Sequence, residues 1–201
     1  VFNQSHSLYS TAYMGENINA RSTEMSTKNR LFSFIIKGVC IMAIGILSGC
    51  SSNIDYYKDS SPKLDLQTFL QGKIQGTGII QDWRHRVTKK FEFDADASWK
   101  GDVGTLDEHM IYENGEKDHR IWTLKKISAN HYQGTSKDVI GIADINIEGN
   151  AMNWRYQMDI KVDNSTYRIH FDDWMFLMKN GTLINKNYFK KFGLTVGSLT
   201  L

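Results

Sequence analysis

The run FEFDADASW, Phe91 to Trp99, puts Phe91, Phe93, Ala95, Ala97 and Trp99 in strict alternation with Glu92, Asp94, Asp96 and Ser98. Successive side chains of a strand point to opposite faces, so a period of two predicts a strand with one dry and one wet face. Similar runs cover about 74–82, 104–113, 118–128, 131–148 with a break near Gly141, 151–162, 166–179, 182–189 and 192–201. The pairs Asn114-Gly115, Asp163-Asn164 and Asn180-Gly181 between them are hairpin turn chemistry. A long 3.6-residue period is absent, which excludes βαβ units and a parallel sheet. The expected fold is all-β, an antiparallel up-and-down barrel of about 8–10 strands, because closure removes exposed sheet edges. KLDLQTFLQG, Lys63 to Gly72, predicts a short N-terminal helical segment with Leu64, Leu66, Phe69 and Leu70 apolar.

The chain ahead of the barrel reads as an address rather than a fold. From Met25 the order is Lys28, Arg30 and Lys37, then the uncharged GVCIMAIGI, then LSGC ending at Cys50. That order is a signal peptide, 25–49, and its apolar run is shorter than the ~20 residues a spanning helix needs. LSGC resembles the lipobox of bacterial lipoproteins, which implies acylation of Cys50 and a membrane partner. By analogy with lipoprotein sorting in Gram-negative envelopes, Ser51 after the cysteine implies the periplasmic leaflet of the outer membrane. Residues 1–24 precede a complete export signal, so Met25 is expected to be the true start. Residues 51–62, polar and holding the single proline, are expected to be a tether and 63–201 one barrel domain.

Removing residues 1–49 lowers Lys plus Arg from 24 to 20 and Asp plus Glu from 22 to 20. A near-neutral domain gives no electrostatic case for nucleic acid. Cys40 leaves with the signal and Cys50 takes lipid, so the remaining domain holds no disulfide.

FDDWM, Phe171 to Met175, looks like a carboxylate pair, but neighbours on a strand face opposite ways. If Asp163-Asn164 is a two-residue turn, Val162 pairs with Ser165. Trp154 then faces Asp173, Tyr156 faces Phe171, Met158 faces Ile169 and Ile160 faces Tyr167. The other face sets Arg155 against Asp172 and Asp159 against Arg168, opposite charges that stabilise a sheet. A one-residue slip loses both patterns. Asp172 is thereby a structural pair for Arg155, and Asp173 sits among aromatic residues. Glu108 shares its face with Leu106, Met110 and Tyr112. A three-residue loop Glu113-Asn114-Gly115 places it opposite Arg120 and Leu106 opposite Trp122, the more coherent apolar face. A loop of Asn114-Gly115 alone would set Glu108 against Ile121 instead. Glu108, Arg120 and Asp173, with Trp154 and Tyr156, are the candidate polar cluster of a barrel interior, either a ligand site or a buried network that sets register.

Other patterns carry less. His85, His109, His119, His131 and His170 are scattered, with no spacing that sets two ligands on one face beside a carboxylate, so no metal site is expected. Asp107, His109 and Ser98 form no oriented triad, and no catalytic residue is assigned. GKIQGTG, Gly72 to Gly78, lacks the Lys-Ser/Thr and helix of a phosphate loop. No cofactor motif is present.

GNAMNWRYQMDIKVDNSTYRIHFDDWM, LDEHMIYENGEKDHRIW, DVIGIA and INKNYFKKFG resemble a family of bacterial lipoproteins catalogued as a domain of unknown function, over about Leu64 to Leu199. The resemblance implies no activity. FLQGKI is similar, more faintly, to the opening of lipocalins, with Ile74 where their tryptophan stands; the likeness implies a lipocalin-like architecture. The expectation is a membrane-anchored lipoprotein whose barrel binds or chaperones an apolar or amphipathic small molecule, lipid included. The alternatives are an envelope scaffold with a filled core, or an enzyme using Asp173 or Glu108 as general base.

Overall fold

The computed structural model describes residues 53–162 and 164–201; the expected signal peptide, Cys50 and the upstream segment lie outside the described residues. Ten antiparallel strands form a closed barrel: β1 (Gly72–Asp82), β2 (Val87–Lys100), β3 (Val103–Tyr112), β4 (Lys117–Lys126), β5 (His131–Thr135), β6 (Ala143–Glu148), β7 (Ala151–Val162), β8 (Ser165–Leu177), β9 (Leu183–Lys191) and β10 (Leu194–Thr200). Each strand pairs with its sequence neighbours, and β1 closes on β10 through pairs such as Ile79 with Thr200 and Asp82 with Gly197. The all-β up-and-down barrel expected from the alternation is the fold observed. The 131–148 run divides into β5 and β6, with Gly141 at φ 72° in the connection.

Register follows the inward parity. β7 and β8 pair Trp154 with Asp173, Arg155 with Asp172, Tyr156 with Phe171, Asp159 with Arg168 and Val162 with Ser165. β3 and β4 pair Leu106 with Trp122 and Glu108 with Arg120 around a three-residue loop in which Gly115 has φ 84°. On the outer face Arg168 holds Asp159 through two bonds of 3.1 Å. Asp172 accepts from Arg155 Nε at 3.4 Å, from Asn153 Nδ2 at 2.9 Å and from Lys190. Burial raises the Asp172 carboxyl, but these donors outweigh it and hold it below the usual range.

One half of the interior is solid. Trp122, Leu124, Tyr132, Ala143, Ile145, Ile147 and Met152 are buried together, with Leu64, Leu66 and Leu70 from the chain ahead of β1. Those leucines flank or belong to a single helical turn, α1 (Leu66–Phe69), whose first turn is capped by Asp65 accepting from Thr68 N at 2.7 Å. Trp99 Nε1 donates to Leu70 O at 2.7 Å and Gln67 Nε2 to Gly101 O at 2.9 Å, so α1 plugs the barrel end formed by the β2–β3 turn.

The described part of the segment read as a tether makes contacts of its own. Residues 53–62 lie on the barrel because their aromatic and hydroxyl groups have partners there. Tyr57 packs against Trp174 and Phe176 at 6.0 and 5.3 Å between ring centroids, Ser60 Oγ donates to Asn150 Oδ1 at 2.7 Å, and Leu64 N donates to Gly149 O. A polar composition could not reveal those contacts.

Gly149 is the tightest point of this docking: its φ is 59°, and a Cβ there would stand 1.8 Å from Tyr57 O. Gly149→Ala should therefore cost about 2 kcal/mol or more and expose 53–62 to protease, while Gly115→Ala, with open space around it, should cost about 1 kcal/mol. Denaturant midpoints and limited proteolysis measure both; equal costs would show that the segment is not clamped.

Candidate functional site

The other half of the interior is hollow. A cavity of about 640 Å³ sits above Phe69 and Leu70, walled by Ile74, Phe93, Leu106, Met110, Trp154, Met175 and Leu183. Glycine shapes the β1 wall: Gly78 is roofed by the Phe91 ring, and an added Cβ would meet that ring at 2.3 Å. Gly76 faces Leu201 instead, where a Cβ would meet Leu201 Cδ1 at 2.9 Å, and Gly72 is required by its φ of 79°.

Into this apolar space β3, β4, β7, β8 and β9 turn Glu108, Arg120, Tyr156, Asp173, Asn185 and Asn187. The cluster read from sequence, Glu108, Arg120, Asp173, Trp154 and Tyr156, lines one cavity. The internal pairing differs from a simple Glu108–Arg120 bridge. Arg120 Nε reaches Asp138 Oδ2 at 2.9 Å and its Nη2 the same oxygen at 2.8 Å, whereas Glu108 accepts from Trp122 Nε1 at 3.1 Å. Burial alone would lower the guanidinium; Asp138 outweighs it and keeps the cation charged.

Asp173 accepts a hydrogen bond from Asn185 Nδ2, and Asn187 Nδ2 donates to Tyr156 Oη at 3.2 Å. Asp138, Asn185 and Asn187 were not picked out from sequence. Asn185 and Asn187 share a strand face with Leu183 and Phe189, and two amides on an apolar face were a usable signal. Asp138 lies in an irregular connection, where periodicity says nothing.

Neither Glu108 nor Asp173 forms an ion pair among the described residues, and burial pushes both up, Glu108 to about 7 and Asp173 to about 8. Charge on Glu108 raises Asp173 further. Two more cavity-wall residues have unmet polar atoms: Trp154 Nε1 and Asn187 Oδ1 are buried without a hydrogen-bond partner among the described residues. One is a donor and one an acceptor. A bound molecule with a hydroxyl or an amide could satisfy both.

The fold brings His109 and His119 together. Pairing of β3 with β4 sets His109 directly opposite His119, with Asp107 two residues along the same outer face, so two imidazoles do converge beside a carboxylate. Sequence spacing hid this because the neighbours lie across a hairpin.

Raised carboxyl pKa values make a stability prediction. The folded state binds these protons more tightly than the unfolded chain, so their contribution is complete below about pH 4 and lost as pH rises through about 7–8. Stability should fall between about pH 5 and 8, by at most roughly 1.4 kcal/mol per pH unit for each group. Asp173→Asn should flatten that slope and be the more stable form at pH 8; urea midpoints across the range check it, and an unchanged slope would count against buried protonated Asp173.

No curated protein and no solved structure matches the chain. A family model described as "Protein of unknown function (DUF3833)" matches residues 44–201, which take in Cys50, α1 and every strand of the barrel. The chain belongs to that family.

Proposed function

We propose that the barrel binds an apolar or amphipathic small molecule, lipid included, in the cavity above α1, and that acylated Cys50 holds it on a membrane facing the periplasm. The observation that carries the reading is the cavity itself: about 640 Å³, largely apolar, with a few convergent polar groups at one side. Ligand sites commonly have roughly 300–1,000 Å³ and this distribution of chemistry. The polar end of the ligand rests against Asp173, Glu108, Trp154 Nε1 and Asn187 Oδ1, and its apolar part against Phe93, Leu106, Met110 and Met175. Because Asp138 already neutralises Arg120 while two carboxyls face the cavity, a neutral or cationic polar end is favoured over a carboxylate or phosphate.

The ligand test is mass spectrometry of small molecules extracted from the purified full chain, with displacement of N-phenyl-naphthylamine by dodecylamine, dodecanol and dodecanoate. The amine and alcohol should displace the probe, and the carboxylate should compete poorly. Met175→Trp fills the cavity and should weaken probe binding about tenfold or more, roughly 1.4 kcal/mol. Unchanged affinity in a folded variant would place the probe elsewhere. Unpaired Asp173 and Glu108 favour a second reading, acid–base chemistry on the bound molecule: conversion of a co-purifying compound that stops in Asp173→Asn would identify an enzyme.

The anchor is tested separately. Cys50→Ala should abolish incorporation of labelled palmitate and leave the chain out of the outer-membrane fraction. Fractionation unchanged from wild type would overturn the anchor.

A further inference from the structure

The outer face of the β3–β4 hairpin carries a group of side chains that the cavity does not use. Asp107 Oδ1 lies 2.6 Å from His119 Nε2 and 3.2 Å from His109 Nε2. The two imidazoles are cross-strand partners, stacked at 4.3 Å between centroids and 5° between planes. All three ligand atoms lie within 4.8 Å of one another. Both rings are half exposed.

We propose that Asp107, His109 and His119 form a binding site for a divalent transition-metal ion of the zinc class. Two neutral imidazole nitrogens and one carboxylate oxygen are donors such ions prefer. Zinc bonds of about 2.0–2.2 Å at a tetrahedral angle separate neighbouring donors by about 3.3 Å. The 3.2 Å separation already has that length, the 2.6 Å contact reaches it by a small rotation of Asp107, and one imidazole turns out of the stack, since parallel rings cannot both hold one ion in their planes. Positions beyond the three protein donors face solvent and take water, as in a site with open coordination.

A second observation points independently to a cation. On β2 the register sets Asp96 directly opposite Asp107 and Asp94 directly opposite His109. Like charges directly opposed across a sheet are destabilising. Lys73 is the register partner of Asp96 on β1, yet no ion pair joins them, and Asp94 accepts from Gln75 Nε2 at 2.7 Å rather than from a cation. Among the described residues, the ionic contacts of Asp107 are to these two histidines alone. A bound dication relieves the opposed carboxylates and replaces the Asp107–His119 hydrogen bond by two stronger bonds. Asp94 and Asp96 add negative charge on the neighbouring strand.

The experiment is titration of the untagged full chain with zinc by calorimetry and with cobalt by visible absorption, alongside His109→Asn/His119→Asn and Asp107→Asn. The double variant should bind one equivalent fewer than wild type and lose the cobalt band, and Asp107→Asn should bind about tenfold or more weakly at that site. All three positions are on the outer face, so circular dichroism should report an unchanged barrel. Zinc should also shift the imidazole nitrogen resonances of His109 and His119. No saturable binding by wild type, or the same stoichiometry in the double variant, overturns the site.

Discussion

Pairing of Val162 with Ser165 begins twelve consecutive cross-strand pairs that end at Ala151 with Phe176, and the interior depends on that register. A sheet has period two, so one decision about which residue faces inward places Trp154, Tyr156, Phe171, Asp173 and Met175 inside together. The opposite face receives Arg155, Asp159, Arg168 and Asp172, whose bonds make a one-residue slip doubly unfavourable. Asp173 is thus carried into an apolar barrel by the parity of its neighbours. It is held there by Asn185 and by retention of its proton, rather than by a counter-ion.

The cavity has a structural cause as well. On the β4–β7 side, Trp122, Leu124, Tyr132, Ile145 and Met152 fill the cross-section. On the β1 side, Gly76 lines the cavity with no side chain of its own, and a Cβ there would meet Leu201 at 2.9 Å. A polar cluster facing a solid core would be a register device. Facing an open volume, with Trp154 Nε1 and Asn187 Oδ1 unpaired, the same groups suit recognition of a guest.

How much of this could be read from the chain differed by mechanism. Alternation in FEFDADASW and its counterparts specified the barrel, since period two is local. Hairpin registers were also readable where a turn was short, as at Glu113-Asn114-Gly115, because a turn's length converts sequence distance into cross-strand contact. Readability ended where contacts join distant segments. The reach of Arg120 to Asp138, the packing of Tyr57 on Trp174 and the bond from Ser60 to Asn150 have no periodic signature. The void was equally hidden, since volume is a sum over all ten strands. The histidine pair was a different failure. The register that opposes Glu108 to Arg120 necessarily opposes His109 to His119, a contact that spacing along the chain does not display.

That shared register links the two sites physically. One pairing of β3 with β4 sets Glu108 beside Arg120 within the barrel and His109 beside His119 on its surface, with adjacent residues pointing to opposite sides. Whatever fixes the outer pair also fixes the strand separation that the inner pair experiences. A metal bridging His109 and His119 would act as a clasp across the hairpin whose inner face carries one of the two cavity carboxyls. The coupling would be reciprocal: if a guest in the cavity altered the spacing of β3 and β4, it would change metal affinity by the same free energy with which metal changes affinity for the guest. Barrel walls one strand thick make such coupling short-ranged, since the inner and outer groups are successive residues of the same two strands.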